Sequence, residues 1–190
     1  MDDAFIKLFR SLAPFNDTEI AEASTCFDTE LVRKDEYFCK AGRICDKMGF
    51  VRSGLLRSFY TINGKETTTF FQTPGSVATA LASFLRRKPA LENIQAMEDS
   101  ELVVISRENL LRLYNDNWKW QQVGRSFIEE YYINMELRMI SLQSQSALER
   151  YKKFLKEYPE LIQTVPLYYI ASYLGMSPET LSRMRKTIYD

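Results

Sequence analysis

Apolar residues recur along this chain with several periods, and each period predicts a different kind of element. Phe5, Leu8, Phe9 and Leu12 fall at helical spacing, and Pro14 ends the run. A second short helix is expected next, with Ile20 and Ala23 inward and Asp17 or Thr18 as its cap. From about Thr29 to Ile105 short β-prone runs alternate with turn signals. Phe50, Val51, Leu55, Leu56, Phe59 and Tyr60 lead up to Asn63-Gly64, and Thr67-Thr68-Thr69-Phe70-Phe71 follow. Asn-Gly suits a tight turn with positive φ, so this stretch predicts a hairpin. Gly42, Gly49, Gly54 and Gly75 punctuate the other runs, and Glu101–Ile105 reads as a closing strand. Many short strands with regular turns predict a sandwich or barrel.

Beyond Ser106 the period becomes helical to about Ser146. Leu110, Leu111 and Leu113 open it. Val123, Phe127, Tyr131 and Met135 follow at steps of four, then Met139 and Leu142. The stretch Gln121–Ser146 predicts one helix of about 25 residues, well beyond the usual ~11 to 12. Its apolar residues, including Ile128, Tyr132 and Ile140, cover more than one stripe. One face can pack on its own domain while another meets a partner helix. The last section is all helical: Leu148, Tyr151, Phe154 and Leu155 give one amphipathic helix ending near Tyr158-Pro159. Pro166 opens another through Leu174, and Ser177-Pro178 opens a third.

Composition narrows the chemistry. The 190 residues carry 25 Lys+Arg, 25 Asp+Glu and no histidine. Without histidine there is no Ser-His-Asp or Cys-His pair and no imidazole metal ligand, so no catalytic residues, metal or cofactor are expected. Three scattered cysteines, Cys26, Cys39 and Cys45, cannot make a four-cysteine metal site and read as reduced thiols. The acidic start Met1-Asp2-Asp3 and the short apolar runs predict a cytoplasmic protein without membrane contact. Charge is uneven in a small way. Residues 1–112 hold 15 basic and 16 acidic side chains, residues 113–146 hold 3 and 4, and residues 147–190 hold 7 and 5.

The positive section contains the most informative residues. Ile170, Ala171 and Leu174 form one inner face; Gly175 follows, suited to a positive-φ turn. Ser177 is a good N-cap, Pro178 fits the first helical position, and Glu179 favours the positive end of the helix dipole. Leu181, Met184 and Ile188 then line one face, and Glu179, Ser182, Arg183 and Lys186 the other. This is the pattern of a helix-turn-helix. Glu179 can accept from a cytosine amino group, and Arg183 can bond guanine O6 and N7. Ser177, Thr180, Ser182, Arg185 and Lys186 complete the candidate DNA-binding set, with Thr180, Arg185 and Lys186 suited to phosphates. The bland alternative makes Glu179 and Arg183 an i,i+4 ion pair on a solvated face.

The order of parts resembles the Crp/Fnr transcription regulators over essentially the whole chain. The resemblance is strongest in Ala147–Tyr151, Tyr158–Leu161 and Tyr169–Arg183, the last run looking like the version common in Bacteroidetes members. It implies an α+β chain: an N-terminal antiparallel β-roll (jelly roll) at 1–112, a dimerisation helix at 113–146 and a helix-turn-helix at 147–190. It further implies a homodimer bound to double-stranded DNA, with Val123, Phe127, Tyr131, Met135 and Leu142 on the dimer helix. The family's recognition helix has Arg-Glu-Thr before a final Arg. Here Pro178 replaces the first Arg, while Glu179, Thr180 and Arg183 match.

The same resemblance locates an effector pocket at Phe71, Gly75, Ser76, Val77, Ala90 and Leu91 and shows what it lacks. A cyclic-nucleotide site holds ribose with a Glu and phosphate with an Arg beside a small hydroxyl residue. Ser76 stands at the Glu position, and Ala90 and Leu91 stand at the other two. A buried phosphate without a cation is costly, so cyclic AMP is not expected to bind in the usual way, and any effector is unknown. Arg86, Arg87 and Lys88 precede this site and read as a solvated basic turn. Two other classes remain: a small-molecule-binding module whose helical tail makes protein contacts, and a cupin-like β-roll enzyme, which the absent histidines disfavour.

Overall fold

The computed structural model describes residues 3–189. Two short helices, α1 (Asp3–Leu12) and α2 (Asp17–Ser24), come first. Eight strands follow: β1 (Phe27–Val32), β2 (Tyr37–Cys39), β3 (Lys47–Ser53), β4 (Leu56–Ile62), β5 (Lys65–Gln72), β6 (Val77–Ala78), β7 (Glu92–Ala96) and β8 (Ser100–Ser106). A short α3 (Leu81–Arg86) lies between β6 and β7. The remaining helices are α4 (Arg107–Asp116), α5 (Trp118–Ser144), α6 (Ala147–Glu157), α7 (Leu161–Thr164), α8 (Leu167–Tyr173) and α9 (Pro178–Tyr189). None of the described helices is long and apolar enough to cross a membrane.

The strands form two four-stranded sheets, ordered β1-β8-β3-β6 and β2-β7-β4-β5. The expected hairpin is β4–β5, and its turn residues Asn63 and Gly64 both have positive φ, 51° and 76°. The centre of the sheet β1-β8-β3-β6 is packed on both faces, which is why Leu102–Ile105 of β8 read as an unbroken apolar run. Along β3 and β8, Phe50, Val103 and Ile105 enter one core with α1, α2 and the start of α5. Val51, Leu102 and Val104 enter a second core with Phe38, Leu56, Ile94 and Ala96 of the other sheet.

Two expectations need correction at helix ends. Asn16, not Asp17 or Thr18, caps α2: its side chain accepts from the Glu19 amide while the Glu19 carboxylate accepts from the Asn16 amide. The helical pattern beyond Ser106 is two helices, because Asn117 breaks it with extended backbone. Asn117 Oδ1 accepts from the Lys119 amide (3.0 Å) and its Nδ2 donates to Glu19 (2.8 Å), so its side chain starts α5 and ties it to α2.

Contacts divide the chain into two units: Met1–Ser58 with Phe71–Tyr131, and Phe59–Phe70 with Tyr132–Asp190. This differs from a division at residues 112 and 146. The long helix is shared, and the outer part of the β4–β5 hairpin clusters with the C-terminal helices. The first half of α5 is spent on its own unit, since Trp120 and Val123 are buried and Phe127 packs against the same cluster.

Candidate nucleic-acid interface and effector region

The C-terminal unit is built around a few buried side chains: Tyr151 and Phe154 of α6, Leu161, Val165, Ile170, Ala171, Leu174 and Leu181. Ile170, Ala171 and Leu181 have no exposed surface, so α8 and α9 pack closely where Ala171 sits. The side chain of Ile188, expected on the same inner face, lies outside the described residues, whereas Met184 is half-buried.

A helix leaves its last four carbonyls without intrahelical donors, and at the end of α8 all four find one. Gly175 adopts φ +65°, which lets its amide donate to Ser172 O and the Met176 amide donate to Ala171 O (3.1 and 3.0 Å). That pair of bonds is a Schellman motif. Arg138 of α5 donates to Tyr173 O (2.7 Å) and lays its guanidinium 4.1 Å from the Tyr173 ring centroid. Arg150 of α6 donates to Leu174 O (2.8 Å) and also to Gln145 O. Two cations therefore hold the negative end of α8 and set the turn. A Cβ on Gly175 would stand 2.9 Å from a Leu142 methyl, which that exposed side chain can yield, so the need for glycine rests on its positive φ.

On the far side of the turn Ser177 caps α9. Its hydroxyl accepts from the Thr180 amide (3.2 Å), and the Thr180 hydroxyl in turn accepts from Arg183 Nη2 (3.3 Å). Glu179 is held below the usual carboxylate range by the Ser177 hydroxyl first, then by its own amide, with Arg183 and Lys65 adding smaller effects. Ser177, Glu179, Ser182, Arg183 and Lys186 are exposed, and Thr180 and Arg185 are half-buried. The seven candidate DNA-binding residues thus lie on one capped helix, with its reading side chains in solvent. Within the same unit, hairpin residue Thr68 donates its amide to Ser172 Oγ of α8 (2.9 Å).

The candidate effector residues are placed less uniformly. Phe71 and Ala90 are buried, and Ala90 pairs its backbone with Gly42 and Arg43 (2.8 Å each). Gly75 and Ser76 pair by backbone with Val51, and the Ser76 hydroxyl donates to Thr73 O. Val77 pairs with Phe50 in β6 and β3. Leu91 is 80% exposed. The basic turn is not wholly free, since Arg87 donates to Cys45 O (3.2 Å).

Polar residues missed by the sequence reading lie inside β4 and β5. Arg57 and Ser58 are buried, and Gln72 Nε2 donates to Ser58 Oγ (2.6 Å). The signal was present as a charged and a hydroxyl residue inside the run Leu55-Leu56-Arg57-Ser58-Phe59. On α5, Ile128, Tyr132, Met139 and Leu142 are exposed and Met135 is half-exposed. Their spacing alternates four and three, the heptad of a coiled-coil seam. Of the dimer-helix candidates, Val123 is only 4% exposed, Phe127 packs on the same core, and Tyr131 is 41% exposed.

The cyclic nucleotide-binding domain family matches residues 29–117. No curated protein sequence matches the chain. Among solved structures, FixK2 from Bradyrhizobium japonicum is similar at 20% identity and TM-score 0.74, covering 86% of this chain and 84% of its own. A transcriptional regulator of the crp/fnr family from Eubacterium rectale is similar at 17% identity and TM-score 0.71, over 92% of this chain and 84% of its own. The c-di-GMP responsive global regulator CLP of Xanthomonas campestris is similar at 14% identity and TM-score 0.70, over 92% of both chains. Residues 29–117 are thus a cyclic nucleotide-binding-type domain, and the chain that carries them has the fold of the Crp/Fnr transcription regulators.

Proposed function

We propose that this chain is a homodimeric, sequence-specific DNA-binding transcription regulator whose sensor domain does not take cyclic AMP in the usual way. The observation that carries the reading is the end of α8. Its four last carbonyls are all bonded, two of them by Arg138 and Arg150, and the turn they fix presents Glu179 and Arg183 in solvent. Glu179 and Arg183 read base edges, and Thr180, Arg185 and Lys186 meet phosphates. The sensor side has Ser76, Ala90 and Leu91 where cyclic-nucleotide ligands would be gripped, with Leu91 in solvent. The protein acts without catalysis, in the cytoplasm.

Electrophoretic mobility shifts on fragments upstream of the protein's own gene test the reading. Binding should prefer one sequence and weaken steeply with salt. Arg183→Ala should lose about 1–3 kcal/mol of sequence preference while non-specific affinity persists. Equal discrimination by both proteins would remove Arg183 from base reading.

The dimer runs along Ile128, Tyr132, Met135, Met139 and Leu142. Tyr132→Glu puts a charge into that seam at a position 67% exposed in the single chain. Sedimentation velocity should show monomers with the fold intact by circular dichroism. A full dimer after this change would move the interface off α5.

A further inference from the structure

The strand β5 lies at the edge of its sheet, in the order β2-β7-β4-β5. An edge strand presents a row of amides and carbonyls that no neighbouring strand takes up. Along this edge one side chain of the C-terminal helices serves two of them. The Thr68 amide donates to Ser172 Oγ of α8 (2.9 Å), and the Ser172 hydroxyl donates to Glu66 O (3.4 Å). Residues two apart on a strand turn their backbone groups to the same side, so a single hydroxyl can meet both. Thr68 is buried, and a buried amide left without a partner is costly. The hairpin is thus docked on α8 by its backbone, and nothing in the proposed function uses that contact.

Ser172 stands at the turn that leads into α9. Its own carbonyl accepts from the Gly175 amide (3.1 Å), and the carbonyl of Ala171, one residue earlier, accepts from the Met176 amide (3.0 Å). Ser177 then caps α9. The hairpin is therefore bonded to the helix end that fixes where α9 begins. Lys65 adjoins Glu66 at the tip of the hairpin and is exposed. Among the described residues no hydrogen bond or ion pair holds its ammonium. It is near enough to Glu179, in the first turn of α9, to help hold that carboxyl low. Glu66 is exposed as well, so the tip is no general basic patch. It offers one cation on a docked support.

We propose that the β4–β5 hairpin belongs to the DNA-binding surface, with Lys65 contacting a backbone phosphate beside the groove that α9 enters and Ser172 acting as the positioning residue that holds the hairpin there. Such a contact depends on α9 being the DNA reader, as in the proposed function, and adds a second element to it. A lysine suits the task. Its ammonium is a compact charge on a flexible stem, so it meets a phosphate without the fixed fork geometry of base reading. Lys65 therefore adds affinity for every sequence and no preference among sequences. The dimer supplies one hairpin to each half-site. The role of Ser172 is indirect: it touches the hairpin backbone, and the hairpin presents the lysine.

The experiment measures fluorescence anisotropy of two labelled duplexes with the full chain, over about 50 to 200 mM salt. One duplex is the fragment upstream of the protein's own gene, and the other has an unrelated sequence of equal length. Lys65→Gln should weaken binding to both duplexes alike and lower the salt slope by about one for each subunit bound. Lys65→Arg should keep the wild-type slope. Ser172→Ala should give the same loss as Lys65→Gln, and its Thr68 amide should exchange with deuterium faster than in the wild type while circular dichroism is unchanged. Lys65→Gln added to Ser172→Ala should then cost little more, because an undocked hairpin no longer presents the lysine. A wild-type slope in Lys65→Gln, with sequence preference intact in the wild type, overturns the hairpin contact and leaves α9 as the reader. Equal costs of Lys65→Gln with and without Ser172→Ala, or fast exchange of the Thr68 amide in the wild type, would overturn the positioning by Ser172. A wild type that binds neither duplex would overturn the reader and the hairpin contact together.

Discussion

The two units of this chain are held together by different means. In the C-terminal unit Arg138 and Arg150 turn inward onto the carbonyls of Tyr173 and Leu174, and Arg183 stands exposed on the next helix. The unit's apolar core is small, and its geometry depends on those inward cations as much as on packing. The sensor unit is the reverse. Two apolar cores flank one sheet, and aromatic rings dominate the core on the helical side. Trp120 touches Phe9, Phe15 and Phe27 at ring-centroid distances of 5.0, 4.6 and 6.0 Å. The difference teaches that the same 190 residues solve two problems. Under the proposed function, a sensor needs a stiff frame around whatever it holds. A reader needs one surface presented at a fixed angle, and polar clamps on a helix end fix an angle more directly than a general core does.

The sharpest way to break this contrast is in the sensor. Trp120→Ala should cost about 3–5 kcal/mol in denaturant unfolding, because it removes a large buried ring and leaves a cavity among three phenylalanines. Trp118, two residues earlier and 61% exposed, is the internal control, and its alanine variant should stay within about 0.5 kcal/mol of wild type. Comparable losses at both positions would mean that the aromatic cluster does not carry the sensor.

The reader is probed by separating holding from reading. Arg150→Ala strips one charged hydrogen bond from Leu174 O, on a residue that is itself buried, and another from Gln145 O. About 1.5–3 kcal/mol of stability should go with them. DNA affinity should fall for all sequences alike, since the turn rather than any base contact is lost. Arg183→Ala should show the mirror image: stability within about 0.5 kcal/mol of wild type and a loss confined to sequence preference. Denaturant midpoints and mobility shifts on the same two proteins decide it. If Arg150→Ala changes neither, the clamp is ornamental.

Much of this was legible from residue order because it depends on local patterns. The hairpin followed from Asn63-Gly64, and the reader turn followed from Gly175 and Ser177-Pro178, where backbone conformation and capping dictate residue type. What was hidden depends on tertiary partners. The helix break at Asn117 rests on a side chain that serves α5 and α2 at once, and Asn115-Asp116-Asn117 was its only local trace. Steps of four from Val123 drift around a helix of 3.6 residues per turn, so that series starts on the buried face of α5 and ends on the exposed one. Which of two apolar stripes a core takes is decided by that core. Arg138 and Arg150 sit in ordinary amphipathic patterns and show their role only when the end of α8 is placed beside them.

The smallest effect expected is also the one whose sign is most informative. Glu19 joins α2 to the start of α5: both its oxygens lie 2.7 Å from Lys119 Nζ, and one accepts from Asn117 Nδ2. The Lys119 bond first, and the Asn16 amide next, hold its carboxyl down to about 2. A carboxylate depressed on folding stabilises the native state fully above its unfolded value near 4.5, and that contribution drains away as pH falls toward 2. Glu92 runs the other way: burial first, and Cys45 next, raise it to about 7. Its penalty is absent below pH 4.5, grows as pH rises to about 7 and is constant beyond. Urea unfolding across pH should therefore respond oppositely to two like substitutions. Glu19→Gln should lower stability at neutral pH and flatten the acid limb below pH 4.5. Glu92→Gln should raise stability at neutral pH and flatten the slope between pH 4.5 and 7. No loss of stability in Glu19→Gln would show that the Asn117 junction is held by packing alone, and no gain in Glu92→Gln would show that burial does not penalise the Glu92 carboxylate.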